Sequence, residues 1–175
     1  MLIALPFLSN LVIWTKALSV TEITELYNSG AGKQLTVATP IVTNGLVLNL
    51  DASRTSSYPN TGTTWTDISG NGNNGTMVNG PIFGTASGGQ ITFDGIDDYV
   101  SVNNFSTLTS YTIESWFKIN YSSSATYGRI IEKGLNNEFT LCINKVISAN
   151  KYTFQLFDSS PAVQSTSNVD STIYN

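Results

Sequence analysis

SGGQITFDGIDDYVSV, Ser87 to Val102, decides how this chain folds. The short run QITF leads into an Asp94-Gly95 corner, and DYVSV follows at once. Side chains that alternate in polarity over four or five residues between turn formers read as half-buried strands. Asp-Gly is a tight-turn dipeptide, because glycine accepts positive φ and the aspartate side chain can bond the turn's own amides. WTDISGNGNNGT at 65–76 supplies a glycine- and asparagine-rich turn just upstream. Turn, strand, tight corner and strand in this order predict an antiparallel β-sandwich.

Outward from this core stretch, further strand-like runs recur: LVLNL (46–50), YTIESWFKI (111–119), GRIIEKG (128–134), EFTLCI (138–143) and KYTFQLF (151–157). In 111–119, Tyr111, Ile113, Ser115 and Phe117 alternate with Thr112, Glu114, Trp116 and Lys118. That is period two, a strand, although spacing does not say which face Trp116 joins. Core packing is the expectation for Trp116 and Phe117. The opening MLIALPFLSN also reads as a strand, since it lacks the basic region, full-length apolar region and small-residue cleavage site of a secretion signal. No run approaches the ~20 apolar residues needed to cross a bilayer.

One helix is predicted, over 20–28. Ser19 is placed to cap it, Glu22 completes a capping box, Leu18 and Ile23 are spaced as a hydrophobic staple, and Gly30 follows the end. Val20, Ile23, Leu26 and Tyr27 share one face, and so short a helix must dock that face on the sheets.

The two opening motifs resemble the signatures of laminin G-like domains of the concanavalin A-like jelly-roll superfamily, in the versions found in bacterial surface proteins and phage structural proteins. LVIWTKALSVTEITELYNSGAGK, 11–33, is similar to the end of such a domain, where a last strand leads into a helix of the form ALSxxEIxxLYN. QLTVATPIVTNG then reads as a linker, and LVLNLDAS as the first strand of another domain. The resemblance implies a fragment of a tandem array: residues 1–35 as the last strand and helix of one repeat, 36–44 as linker, and 45–175 as the first two thirds of the next. The family's WHHVAGTYDG-like segment and second helix are not found after Phe157. Residues 2–14 are then candidates for the vacant strand position.

Composition agrees with an extracellular, cell-surface or virion β-protein. The 175 residues are 41% hydrophobic and 11% aromatic, enough for one packed domain, yet only 11% are charged, against roughly a quarter in ordinary soluble domains. A net charge of -4 leaves no basic stripe for phosphates, so neither nucleic acid nor an anionic membrane is an expected partner. The single cysteine, Cys142, sits in an alternating strand and reads as a small buried hydrophobe, and no internal disulfide can form.

The chain contains no histidine, which removes Ser-His and Cys-His nucleophile pairs and ordinary zinc sites. Carboxylate catalysis remains. Glucanases of the resembled fold carry ExDxE or ExDxxE on one strand, whereas 111–119 has only Glu114, so a non-catalytic module is expected and a glycosidase is the minor alternative. Calcium is a candidate cofactor at two places. Asp67, Ser69, Asn71, Gly72 and Asn73 open like an EF-hand loop, but Val78 stands where the bidentate Glu belongs, which excludes an EF-hand, and turn capping is the preferred reading of these residues. Asp94, Asp97 and Asp98 set three carboxylates within five residues, readable as a metal site or as an Asx-capped corner.

Sugar recognition requires an aromatic platform beside amides and carboxylates. Tyr58, Trp65 and Tyr99 with Asn60, Asn71 and Asp67 are the loop candidates. The expected function is carbohydrate or surface-protein recognition beside neighbouring repeats of the same chain. A structural spacer or decoration module of a phage tail or capsid is the alternative.

Overall fold

A computed structural model describes residues 2–3, 7–27, 42–102, 108, 110–118, 127–133, 139–146, 151–158 and 164–169. Within them the chain is mostly β, with a single α-helix. The strands are β1 (Leu2–Ile3), β2 (Phe7–Trp14), β3 (Leu46–Asp51), β4 (Thr64–Trp65), β5 (Gly75–Val78), β6 (Ile82–Gly84), β7 (Gln90–Thr92), β8 (Tyr99–Val102), β9 (Thr112–Lys118), β10 (Tyr127–Lys133), β11 (Phe139–Val146), β12 (Lys151–Asp158) and β13 (Gln164–Val169); helix α1 spans Val20–Tyr27. Two antiparallel sheets result. The larger runs β13-β12-β11-β10-β1-β8-β5-β4, and the smaller is organised around β2.

The N-terminal run, read as one strand, is two. β1 fits between β8 and β10 in the larger sheet, while β2 belongs to the smaller. One edge of β2 pairs with β9 from Phe7↔Lys118 to Trp14↔Thr112. Its other edge is shared: Asn10–Trp14 pair with β3, and Phe7 and Leu8 pair with β7. The handover falls at Ser9, where the β9 register shifts. There Ala52 N–H donates to Ser9 O at 2.8 Å and Ser9 Oγ donates to Gly89 O at 2.9 Å. This junction brings β3 out and β7 in along one strand.

The bulge has a packing consequence. Leu8, Leu11 and Ile13 all reach one core, despite the odd spacing between Leu8 and Leu11, because the extra residue at Ser9 resets the alternation. They meet Leu48, Leu50 and Ile91 from the smaller sheet and Trp65, Met77, Val100 and Ile131 from the larger. Val12 and Trp14 point the other way, into a second cluster with Leu18 and Leu46. β2 is therefore apolar on both faces because both are covered. Trp14 keeps its indole N–H satisfied by donating to Val42 O at 2.7 Å.

Asp94-Gly95 is a corner, but not a hairpin. β7 and β8 lie in different sheets, so the corner carries the chain from one sheet to the other. Gly95 takes φ 77°, and Asp94 Oδ1 accepts the amides of Ile96 at 2.8 Å and Asp97 at 3.4 Å.

The capping box on α1 forms as read. Glu22 N–H donates to Ser19 Oγ at 3.3 Å, Ser19 N–H donates to Glu22 Oε2 at 2.8 Å, and Lys16 Nζ adds an ion pair to Glu22 Oε1 at 2.6 Å. The Lys16 ammonium, then the Ser19 amide, hold the Glu22 carboxyl down to about 2. A group depressed in the folded state contributes above its ordinary value of 4.5 and loses that contribution as pH falls toward 2. The Ser19 amide proton is therefore expected to titrate with a midpoint near 2 in NMR spectra, and Lys16→Met should move it up; a midpoint at 4.5 in the unchanged protein would contradict the bonded geometry.

The docking of the helix face differs from expectation. Leu26 packs partly against the second cluster, but Val20 is 81% exposed and Ile23 50% exposed. Leu18, ahead of the cap, joins Val12, Trp14 and Leu46 in filling the second cluster; among the described side chains of α1, Leu26 alone adds to it, and the helix stands off from β9. The side chain of Tyr27, most of the 36–44 linker and the side chain of Cys142 lie outside what is described.

Candidate functional site

The standoff creates a cleft. It encloses about 400 Å³ between α1 and β9, lined by Leu18, Ile23 and Leu26 on one side and by Thr112, Glu114 and Trp116 on the other. Alternation on β9 builds the second wall. Ile113 and Phe117 turn inward to the main core, which sends Thr112, Glu114 and Trp116 to the outer face of the smaller sheet. Thr112 fixes the entrance by donating to Lys16 O at 2.8 Å and accepting the Leu18 amide at 3.1 Å.

Trp116 was expected in the core, and it is 45% exposed. Its indole N–H donates to Glu114 Oε1 at 2.7 Å, which fixes the ring beside the carboxylate. Burial pushes the Glu114 carboxyl above the ordinary range; the indole bond opposes this, and the charge of Asp51 adds to it. By register, Asn10 lies between Trp116 and Asp51 across the sheet, and Val12 lies between Glu114 and Asn49. The buried Oδ1 atoms of Asn10 and Asn49 accept no hydrogen bond from the described residues. Asp51 is fully engaged, accepting Ser53 N–H and Oγ–H on Oδ1 and pairing Arg54 through Oδ2. An exposed indole, a desolvated carboxylate and two undersupplied amide oxygens thus occupy one sheet face.

The sequence candidates go elsewhere. Trp65 is fully buried in the main core, and Tyr58 is buried against Phe83 with its hydroxyl donating to Gly62 O at 2.8 Å, so neither presents a ring face to solvent. Tyr99 is half-buried on β8, and Asn60 is an exposed turn residue at φ 66°. Asn71 donates through Nδ2 to Leu46 O at 2.8 Å, tying the 67–74 loop to β3. These five residues do not converge on the cleft.

Asp67 organises that loop. Oδ1 accepts the amides of Asn49 and Ser69, each at 2.9 Å, and Oδ2 accepts Ser69 Oγ–H at 2.8 Å and the Asn73 amide at 2.9 Å. Four donors use the lone pairs that a cation would need. At the other candidate, the carboxylate oxygens of Asp94, Asp97 and Asp98 lie within 4.8 Å of one another, two of the residues exposed and Asp98 buried. Asp94 is lowered from its ordinary value chiefly by the Ile96 amide, and Asp98 Oδ2 accepts the Asp94 amide at 3.0 Å. Of the four acidic residues singled out in the sequence, these three are brought together and are the ones that could hold a cation; Asp67 is not with them.

The sequence matches no protein-family model and no curated protein, and the structure matches no solved structure. The site therefore rests on its own chemistry. The signal for Trp116 and Glu114 was present in the sequence as two of the four positions, with Thr112 and Lys118, that share one face of an alternating strand. Which face lay outward required the placement of β2 beside β9.

Proposed function

We propose that this chain is a non-catalytic laminin G-like jelly-roll module that binds carbohydrate at the exposed part of β9 facing α1, within a cell-surface or virion protein. Residues 2–14 supply in this reading the two strands, β1 and β2, that complete the sandwich begun at Gly45. The observation that carries the functional part is Trp116: 45% of a tryptophan left in solvent, its orientation fixed by Glu114, in the wall of an open cleft. A pyranose offers an apolar face ringed by hydroxyls, so it pairs with an indole platform bordered by acceptors. Two-carboxylate hydrolysis needs partners about 5–9.5 Å apart, and among the described residues lining the cleft Glu114 is alone.

The test is a binding screen with soluble oligosaccharides, read by tryptophan fluorescence and calorimetry. Wild-type protein is expected to bind at least one class, and Trp116→Ala to lose roughly tenfold or more in affinity, in line with about 1–3 kcal/mol for aromatic stacking of a ring ligand. Because the side chain is half in solvent, the variant should keep its melting temperature. A wild-type protein silent across the panel would favour the spacer role instead. Reducing-end release from β-glucan, xylan or agarose that vanished in Glu114→Gln would make it an enzyme.

A further inference from the structure

The cleft beside Trp116 is more apolar than a plain hexose requires. A hexose carries hydroxyls around its whole rim, and any that entered between Leu18, Ile23 and Leu26 would leave water without a partner. The aliphatic wall calls for a methyl group instead. Directly across from it, Glu114 uses Oε1 for the Trp116 indole, while Oε2 accepts no hydrogen bond from the described residues. A carboxylate oxygen held in an apolar surround calls for an N–H donor. An acetamido group carries both, a methyl and an N–H separated by one carbonyl, on a ring whose face can stack on the indole. The enclosed volume, about 400 Å³, falls toward the small end of the roughly 300–1,000 Å³ range of ligand sites, the scale of one substituted sugar ring.

We propose that the α1–β9 cleft is a subsite for a 2-acetamido sugar: the ring stacks on Trp116, the acetamido N–H donates to Glu114 Oε2, and the acetyl methyl sits against Leu18, Ile23 and Leu26. This rests on the carbohydrate reading above and gives it a sugar class.

Three β-1,4-linked tetrasaccharides separate the alternatives, because they share a backbone and differ only at C2: cellotetraose with a hydroxyl, the fully acetylated chitin tetramer, and its deacetylated form with an ammonium. The acetylated tetramer is expected to bind about tenfold or more tighter than cellotetraose, the combined effect of a buried methyl and a charge-assisted hydrogen bond. Ile23→Asp, at a position already half exposed, should bring the acetylated tetramer and cellotetraose to equal affinity with the melting temperature unchanged. Equal or tighter binding of cellotetraose overturns the acetamido subsite but leaves carbohydrate binding standing. Tightest binding of the deacetylated tetramer overturns it in favour of an ammonium site. If none of the three binds but another glycan does, the acetamido assignment alone falls; if no glycan binds, both readings fall.

Discussion

Removing residues 1–16 is expected to abolish cooperative folding. β2 is the strand to which β3, β7 and β9 all pair, so its loss strands three neighbours at once. The deletion also removes Leu8, Leu11, Val12, Ile13 and Trp14, each 2% exposed or less. Burial of five such side chains contributes on the order of 10 kcal/mol, comparable to the whole net stability of about 5–15 kcal/mol of a typical domain. Urea titration followed by fluorescence of Trp65, which stays in the shortened chain, should show a broad drift in place of a sigmoidal transition, with dye-binding surface exposed in buffer. A truncated chain that is monomeric and unfolds cooperatively would mean that residues 45 onward close their core without β2, contrary to the pairing described.

Gly89→Ala is expected to be the most damaging single methyl addition in the molecule's turns. Gly89 sits where β3 leaves the edge of β2 and β7 arrives. A Cβ there would collide with Ala52 O and lie 2.8 Å from the Ser53 Cα, and φ is 144°, a conformation that side-chain-bearing residues avoid. The obstacle is backbone on both counts, so no rotamer change relieves it. Strain of about 1–3 kcal/mol and overpacking of similar size give a loss of roughly 2–5 kcal/mol. Gly95→Ala is the control, because φ is 77° there but nothing lies within 4 Å; it should cost only about 1 kcal/mol. Equal denaturation midpoints for the two variants would show that the Ser9–Ala52–Gly89 junction is looser than its hydrogen bonds imply.

Local chemistry by itself determined much of this protein. The Ser19–Glu22 capping box, the alternation of β9, the Asx-bonded Asp94-Gly95 corner and the Asp67–Ser69 and Asp67–Asn73 bonds inside the 67–74 loop all follow from interactions reaching only a few residues along the chain. Such contacts are written in spacing, so spacing reveals them. β3 and β7 to β12 were legible for the same reason. The two-residue β4 and the short β5 and β6 were not, because Thr64, Gly75 and Gly84 become strand residues only through partners elsewhere in the chain.

Tertiary structure decided the rest. That β7 and β8 belong to different sheets is a matter of which partners their edges find, and Asp-Gly serves a hairpin or an arch equally well. The split of the N-terminal run into β1 and β2 depends on pairings 83 to 129 residues apart. Trp65 and Trp116 both stand on strands beside polar neighbours, yet one is fully buried and the other nearly half exposed. Period two assigns residues to two faces without saying which is wet. Here Ile113 and Phe117 are claimed by the core shared with Leu11, Ile13, Leu48 and Leu50, and that places Trp116 and Glu114 on the outer side, where α1 and Leu18 leave a cleft open above them.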